Sequence, residues 1–280
     1  MDLQEIVSDC VKKQFANINA SDVLNRINKQ KYILPKKYNQ DHCMTRYFQV
    51  HIMNSDSFMA LSSITYLQRE NDPDGYLILI LNNHKEKQSA IKQHLEELRN
   101  LSVMAAIVEP IPHVNAKAQK LLGVQKLLLD QTFIKENAAA TVELETWKKS
   151  LIDELNSAIA ETMSHITTLY TQNGAEKIRN KCLNRAVSDI AESVYNRTPL
   201  INHELINRHS ITAQTSKARN IILEDIFHSR QFEQYRTGTS AESTIYRACL
   251  GTAKEDENLS LVRREITEFI HESKGRKNVF

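Results

Sequence analysis

The chain has 280 residues, of which 41% are apolar and 25% charged, and its formal net charge is +2. That length suits two or three small domains with cores of their own, not one large enzyme barrel, and the composition excludes a disordered chain. So small a net charge predicts neither nucleic-acid nor membrane binding in bulk, and any such contact must rest on a local patch.

Six glycines and five prolines leave little room for long loops, which predicts a mainly α fold with a small α/β domain. Cys10, Cys43, Cys182 and Cys249 show no CxxC spacing and read as reduced thiols of a cytoplasmic protein. No apolar run reaches the ~20 residues of a membrane span. The first residues lack the basic-then-apolar plan of a signal peptide.

In chain order, Leu3, Ile6, Val7, Cys10, Val11 and Phe15 recur at helical spacing, and a second helix capped from Ser21 carries Val23, Leu24 and Ile27. YILPKKYN reads as a connector, and MTRYFQVHIM alternates as a strand does. Residues 55–72 are ambiguous. Asp72-Pro73-Asp74-Gly75 is a strong turn signal. The apolar run YLILIL after it has the look of a strand covered on both faces. A helix with Ile91, His94, Leu95 and Leu98 on one face leads to a second apolar run, VMAAIVEP. Strand, helix and strand over about 35 residues is the size of a βαβ unit with parallel strands.

Pro110 and Pro112 close that domain. AKAQKLLGVQKLLLD and TVELETWKKSLIDELNSAIAETM then predict a helical hairpin whose second arm is long enough to serve as a strut between domains. ITTLY is a short β-rich piece that fits the edge of the C-terminal module. From Ala175 to Cys249 three helical patterns meet across two polar joints. Ile178, Cys182, Leu183, Ala186, Val187, Ile190, Ala191 and Val194 form the first and stop near Asn196, because Pro199 pushes Thr198 out of the helical region. A short helix carries Leu205 and Ile206 and is broken by His209, Ser210 and Thr212. Thr215 or Ser216 caps the next, whose buried stripe is Ala218, Ile221, Ile222 and Ile226. That outline predicts a winged-helix-like module. The resulting division is an N-terminal helical segment at 1–40, a small α/β domain at 41–112, a helical hairpin at 113–172 and the winged-helix-like module at 173–280. A last helix, LVRREITEFIHE, precedes an apolar Val279-Phe280 end, which suggests a piece of something longer.

The residues offer little chemistry. The six glycines are never closer than a dozen residues, with no GxxxxGK[ST] or GxGxxG. Without a loop to cradle phosphates the chain is expected neither to bind nor to hydrolyse ATP. Asn82-Asn83-His84 stands where a Gly-rich turn would follow the first apolar strand, and reads as an ordinary polar loop. His203, Glu204 and His209 are the closest metal-like group, but their spacing sends the histidines to different sides of a broken helix. Asp72, Asp74 and Glu109 lie near strand ends as a two-carboxylate nuclease requires, yet no ExK follows. No catalytic residue, metal or cofactor is therefore predicted.

The basic surface is the better candidate. Before Gly174 the chain has 15 Lys and 4 Arg, and from Gly174 onward 6 Lys and 11 Arg. The C-terminal part thus prefers the planar fork suited to phosphate or carboxylate. Arg208, His209, Lys217 and Arg219 bracket the turn before the third helix, and Arg247 lies on a later one. A trihelical fold that gathers them near one helix N-terminus has a place for the phosphates of double-stranded DNA. The competing reading is that Glu204, Glu224 and Asp225 pair with these charges and the face meets another protein.

YILPKKYN, RYF, DGYLILIL, AQKLLGVQKLLLD, SKAR, IYRACL and above all NRTPLINHELINR resemble the region downstream of the nucleotide-binding core in large bacterial P-loop ATPases of phage-defence systems, the BREX-type ATPases and their relatives. The resemblance spans residues 31–280. It implies a non-catalytic accessory segment of an AAA+-like defence ATPase, in which helical and winged-helix-like parts engage DNA, sister subunits or other defence-system proteins. The Walker motifs are absent here, so no ATPase activity carries over. A stand-alone helix-turn-helix DNA-binding regulator is the alternative, and a nuclease the third reading.

Overall fold

The computed structural model describes residues 2–67, 72–82, 85–178, 182–198, 203, 205–206, 211–228, 233–249 and 257–272, excepting the side chains of residues 85, 226–227, 257–263 and 270. Those residues are mainly helical, with one mixed six-stranded sheet. Among them no helix is long and apolar enough to cross a membrane. The chain divides into two compact units, Met1–Ile33 with Tyr47–Ala186, and Leu34–Arg46 with Val187–Phe280.

The first unit opens with α1 (Leu3–Gln14) and α2 (Ala20–Ile27). The α2 cap is Asn19, whose side chain accepts from the Ser21 N–H at 3.1 Å; Ser21, expected as the cap, is buried in the first turn. The chain continues through β1 (Tyr32–Ile33), α3 (Lys36–Asp41, in the second unit), β2 (Phe48–Asn54), α4 (Ser55–Met59), a 3-10 turn at Ile64–Tyr66, β3 (Gly75–Leu81), α5 (Gln88–Glu97) and β4 (Val103–Val108). After them come α6 (Val114–Leu129), α7 (Gln131–Glu136), α8 (Ala138–Ser164) and the hairpin of β5 (Thr168–Thr171) and β6 (Gly174–Lys177). The strands lie across the sheet in chain order. β2, β3 and β4 run parallel, and β1, β5 and β6 are each antiparallel to the neighbour before or after them.

Every residue of β3 is buried, as its unbroken apolar run predicts. Tyr76, Ile78 and Ile80 meet Phe58 of α4, Ile64 of the 3-10 turn, and Ile91 and Leu95 of α5. Leu77 and Leu79 point to the opposite face, where α2 packs on β2 and both α6 and α8 pack on α2. Burying each such side chain contributes about 1.5–3 kcal/mol. At Gly123 α1 comes close to α6, and a Cβ there would meet the Val11 side chain at 2.8 Å.

Several expectations need correction. YILPKKYN is no connector: its Tyr32 and Ile33 pair with Gln49 and Phe48 of β2, and its end forms α3. The ambiguous stretch after β2 supplies α4 and the 3-10 turn. The helices after Pro112 and the ITTLY strand do not stand apart from the α/β domain. α6 and α8 cover α2, and Tyr170 of β5 pairs with Ala105 of β4, so all belong to the first unit. α8 is accordingly a packing helix within that unit, not a strut between domains. By contacts the chain groups into the two units above.

The carboxylates Asp72, Asp74 and Glu109 do not come together in the fold as a nuclease requires. Asp72 and Asp74 precede β3, whereas Glu109 follows β4, and these strands are parallel. The acids therefore lie at opposite ends of the sheet, roughly 20 Å apart at 3.3 Å per residue. Asp74 instead accepts from the Tyr47 N–H at 3.0 Å.

In the second unit α3 lies beside α9 (Leu183–Val194), a helix that the division crosses after Ala186. Its apolar stripe is buried at Ala186, Val187, Ile190 and Ala191, and it ends two residues before Asn196. Ile178, counted with that stripe, instead donates its N–H to the Thr167 carbonyl at 2.8 Å. Ser188 Oγ accepts from the Lys37 N–H at 3.2 Å, His42 stacks on Tyr38 at 4.2 Å, and the Arg46 guanidinium lies 3.8 Å over Tyr195.

Candidate nucleic-acid interface

The rest of the second unit is α10 (Ala213–His228), α11 (Glu233–Thr237), α12 (Ala241–Cys249) and α13 (Glu257–Glu272). Among its described residues there is no β-strand, so the wing of a winged-helix module is not among them. Thr212, expected to break the preceding helix, starts α10. Its hydroxyl accepts from the Thr215 N–H at 3.2 Å and its carbonyl from the Ser216 N–H at 3.0 Å. The cap therefore falls three residues before Thr215. Ala218 and Ile222 are buried against Tyr235 of α11 and against Ile245 and Tyr246 of α12, with Leu205 and Ile206 packed at the margin. Ile221 is only half-buried, and the side chain of Ile226 lies outside the described residues.

One acid and one base proposed for the surface chemistry are used differently. Asp225 accepts from the Tyr235 hydroxyl and, at 3.2 Å, from Gln234 Nε2, which ties α11 to α10. Arg247 Nη1 donates to the carbonyls of Gly238, Tyr235 and Arg236 at 2.6, 3.0 and 3.4 Å. These are carbonyls that the end of α11 leaves without intrahelical partners, so Arg247 closes that helix. Arg208, His209 and Glu204 lie outside the described residues.

Lys217 and Arg219 are exposed on α10, and among the described residues neither makes an ion pair. They do not gather at one helix end. At about 100° per residue they stand on either side of Ala218, one on each flank of the helix. The exposed face between the flanks carries Asn220 and Leu223, with the Asn220 amide oxygen 3.4 Å from Arg219 Nε and Nη2. Glu224 shares the Lys217 flank and reduces the positive charge there. Hydrogen bonds from its own backbone N–H and from the Ser240 hydroxyl hold the Glu242 carboxyl below its usual range, and Lys217 adds to this more weakly. Asn220 and Leu223 were not singled out from the sequence. Placing residues around α10 from its true start at Ala213 is what finds them.

Burial, then the hydrogen bond to Asp225, pushes the Tyr235 hydroxyl from 10.0 up to about 12. The folded state thus keeps a proton that the unfolded chain loses from pH 10. Stability linked to Tyr235 is fully present below pH 10 and is lost as pH rises toward 12. Urea midpoints of the native chain and of Tyr235→Phe, measured from pH 8 to 11.5, are expected to converge or cross as pH rises; a constant gap contradicts this. Burial likewise raises the Cys249 thiol and keeps it neutral at pH 7.

Comparison of the chain with protein-family models, with curated proteins and with solved structures finds no match.

Proposed function

We propose that the chain is a non-catalytic binding segment whose α10 enters the major groove of double-stranded DNA. The observation that carries this reading is the arrangement on α10, with one exposed cation on each flank and Asn220 and Leu223 on the outer face between them. A helix is about 10–12 Å across and the major groove about 12 Å wide, so flanking cations meet the two phosphate walls while the outer face meets the bases. An asparagine amide pairs with adenine, and an apolar side chain touches the thymine methyl. The resemblance to phage-defence ATPases adds the setting, an accessory, winged-helix-like part beside a motor that other residues supply. A stand-alone regulator is the alternative, and it differs in requiring strong preference for one site.

Fluorescence anisotropy on duplex DNA at several salt concentrations tests the reading. Each phosphate contact contributes a slope of about −0.9 in log affinity against log salt. Lys217→Ala and Arg219→Ala should each lower the slope by about one unit and weaken all sequences alike. Asn220→Ala should leave the slope unchanged and relax preference at one base pair, by about 1–3 kcal/mol. No binding at low salt, or binding indifferent to Lys217 and Arg219 together, removes the DNA reading. It would leave a protein surface, toward which Ile211 and Leu223, 66% and 43% exposed, lean.

A further inference from the structure

The side of α10 that points away from Ala218 and Ile222 carries, among the described side chains, Ala213, Ser216, Asn220 and Leu223. None of these is an arginine or lysine, the side chains that most often read guanine through its O6 and N7 acceptors. The cations stand on the flanks instead, Lys217 on one, with Glu224 on the same side, and Arg219 on the other. A helix arranged in this way places its charges where phosphates lie and leaves one amide and one apolar side chain for the base edges.

Arg219 Nε and Nη2 donate to Asn220 Oδ1 at 3.4 Å, which turns the oxygen end of the amide toward that flank. An amide oxygen accepts two hydrogen bonds, so Asn220 still has an acceptor for adenine N6 beside a donor for N7. Leu223 follows three residues later, about 4.5 Å along the axis and about 60° around it. One base-pair step is about 3.4 Å, so a helix lying in the groove brings Leu223 to the pair next to the one that Asn220 meets. Leu223 is 43% exposed and lies outside the cluster that Ala218 and Ile222 form with α11 and α12. Its bare surface gains free energy only when something apolar covers it, and on the floor of the major groove the apolar group is the thymine methyl.

We infer that α10 selects two adjacent A·T pairs, with Asn220 reading an adenine and Leu223 the methyl group of a thymine in the neighbouring pair. This rests on the reading of α10 as a groove helix and adds which DNA that helix takes. A G·C pair offers no methyl group, and guanine presents two acceptors where the amide brings one donor end and one acceptor end. Uracil in place of thymine keeps the base pairing and removes only the methyl, so the contact at Leu223 can be isolated. Glu224 faces a phosphate wall and opposes every sequence equally.

Fluorescence anisotropy of the full chain on poly(dA-dT), poly(dA)·poly(dT), their uracil counterparts and poly(dG-dC), at one salt concentration, tests the inference. At least one thymine duplex should bind about five-fold or more tightly than poly(dG-dC). It should also bind about four-fold more tightly than its uracil counterpart, the contribution of one buried methyl. Leu223→Ala should abolish the difference between thymine and uracil and leave the salt slope unchanged. Asn220→Ala should reduce the preference over poly(dG-dC) and keep the difference between thymine and uracil. Glu224→Gln should strengthen binding to every duplex alike. All three side chains are exposed, so circular dichroism should show each variant folded. Equal affinity for thymine and uracil duplexes, with a salt slope that still falls in Lys217→Ala and Arg219→Ala, overturns this inference and leaves the groove reading standing. A thymine preference that persists in Leu223→Ala overturns it as well. Absence of binding to all the duplexes overturns both the inference and the groove reading.

Discussion

A single methyl group at position 75 is expected to destabilise the first unit by about 3 kcal/mol, the upper end of what overpacking a filled core costs. Gly75 opens β3 between two neighbours at once, paired with Phe48 of β2 and adjacent to Ser102, whose carbonyl accepts from the Tyr76 N–H at 3.0 Å. A Cβ there would fall on that carbonyl oxygen, closer than any real contact, and would lie 2.8 Å from the Phe48 ring. The ring has rotamers to move through, whereas the carbonyl is fixed by its bond to Tyr76. Gly75→Ala must therefore prise β4 from the start of β3, in the part of the sheet where burial is most complete. Urea unfolding followed by circular dichroism gives the loss. Trimming the ring in the double variant Phe48→Leu, Gly75→Ala should not recover it, because the backbone oxygen is the nearer obstacle. A loss below about 1 kcal/mol would mean that the entry to β3 has slack.

The same strand shows what the sequence reveals readily. YLILIL is apolar without alternation because both faces of β3 are covered, and the turn before it is marked by Pro73 and Gly75. β2 is legible for a partly misleading reason. Its alternation suggests one wet face, yet Gln49 and His51 are buried. α3 was not legible at all: Lys36–Asp41 is polar throughout, and its one buried residue, Tyr38, hydrogen-bonds the Tyr195 carbonyl 157 residues away. No local periodicity records such a partner. ITTLY is legible as β-rich, but its neighbour is not, since pairing with β4 reaches across more than 60 residues.

The candidate interface was legible in its residues and not in their directions. The sequence shows Lys217 and Arg219 two positions apart, and only the start of α10 at Ala213, capped by Thr212, fixes which way each points. Arg247 looks like a further surface charge, but what it meets are the carbonyls of α11, which carry no mark in a sequence. Asp225 looks like its counter-ion and is instead a partner of Tyr235. Backbone acceptors and buried hydroxyls compete with carboxylates and phosphates for the same arginines and acids, and tertiary contact decides among them.

The second unit depends on a much smaller core, and there the expected loss is about 2–5 kcal/mol for Ile222→Ala. Ile222 is 6% exposed and stands one turn from Ala218, so the two form the face that α10 turns toward Tyr235, Ile245 and Tyr246. Truncation leaves a space bounded by two tyrosine rings whose centroids lie 5.5 Å apart. Tyr235 is held by Asp225, so it has little freedom to move in and fill the gap, and the loss should include a cavity contribution beyond the transfer of three methylene-sized groups. Hydrogen exchange separates this effect from general unfolding. Amides of α10 and α12 should lose protection in Ile222→Ala while those of β3 and β4 keep theirs, as expected of a compact unit with its own core. If α10 binds DNA as proposed, the affinity should fall with the population of intact α10 while its salt slope stays the same, because Lys217 and Arg219 are untouched. Unchanged protection in α10 would mean that Ile222 contributes little to the helix packing, and a changed salt slope would mean that the flanking cations are not what contacts the phosphates.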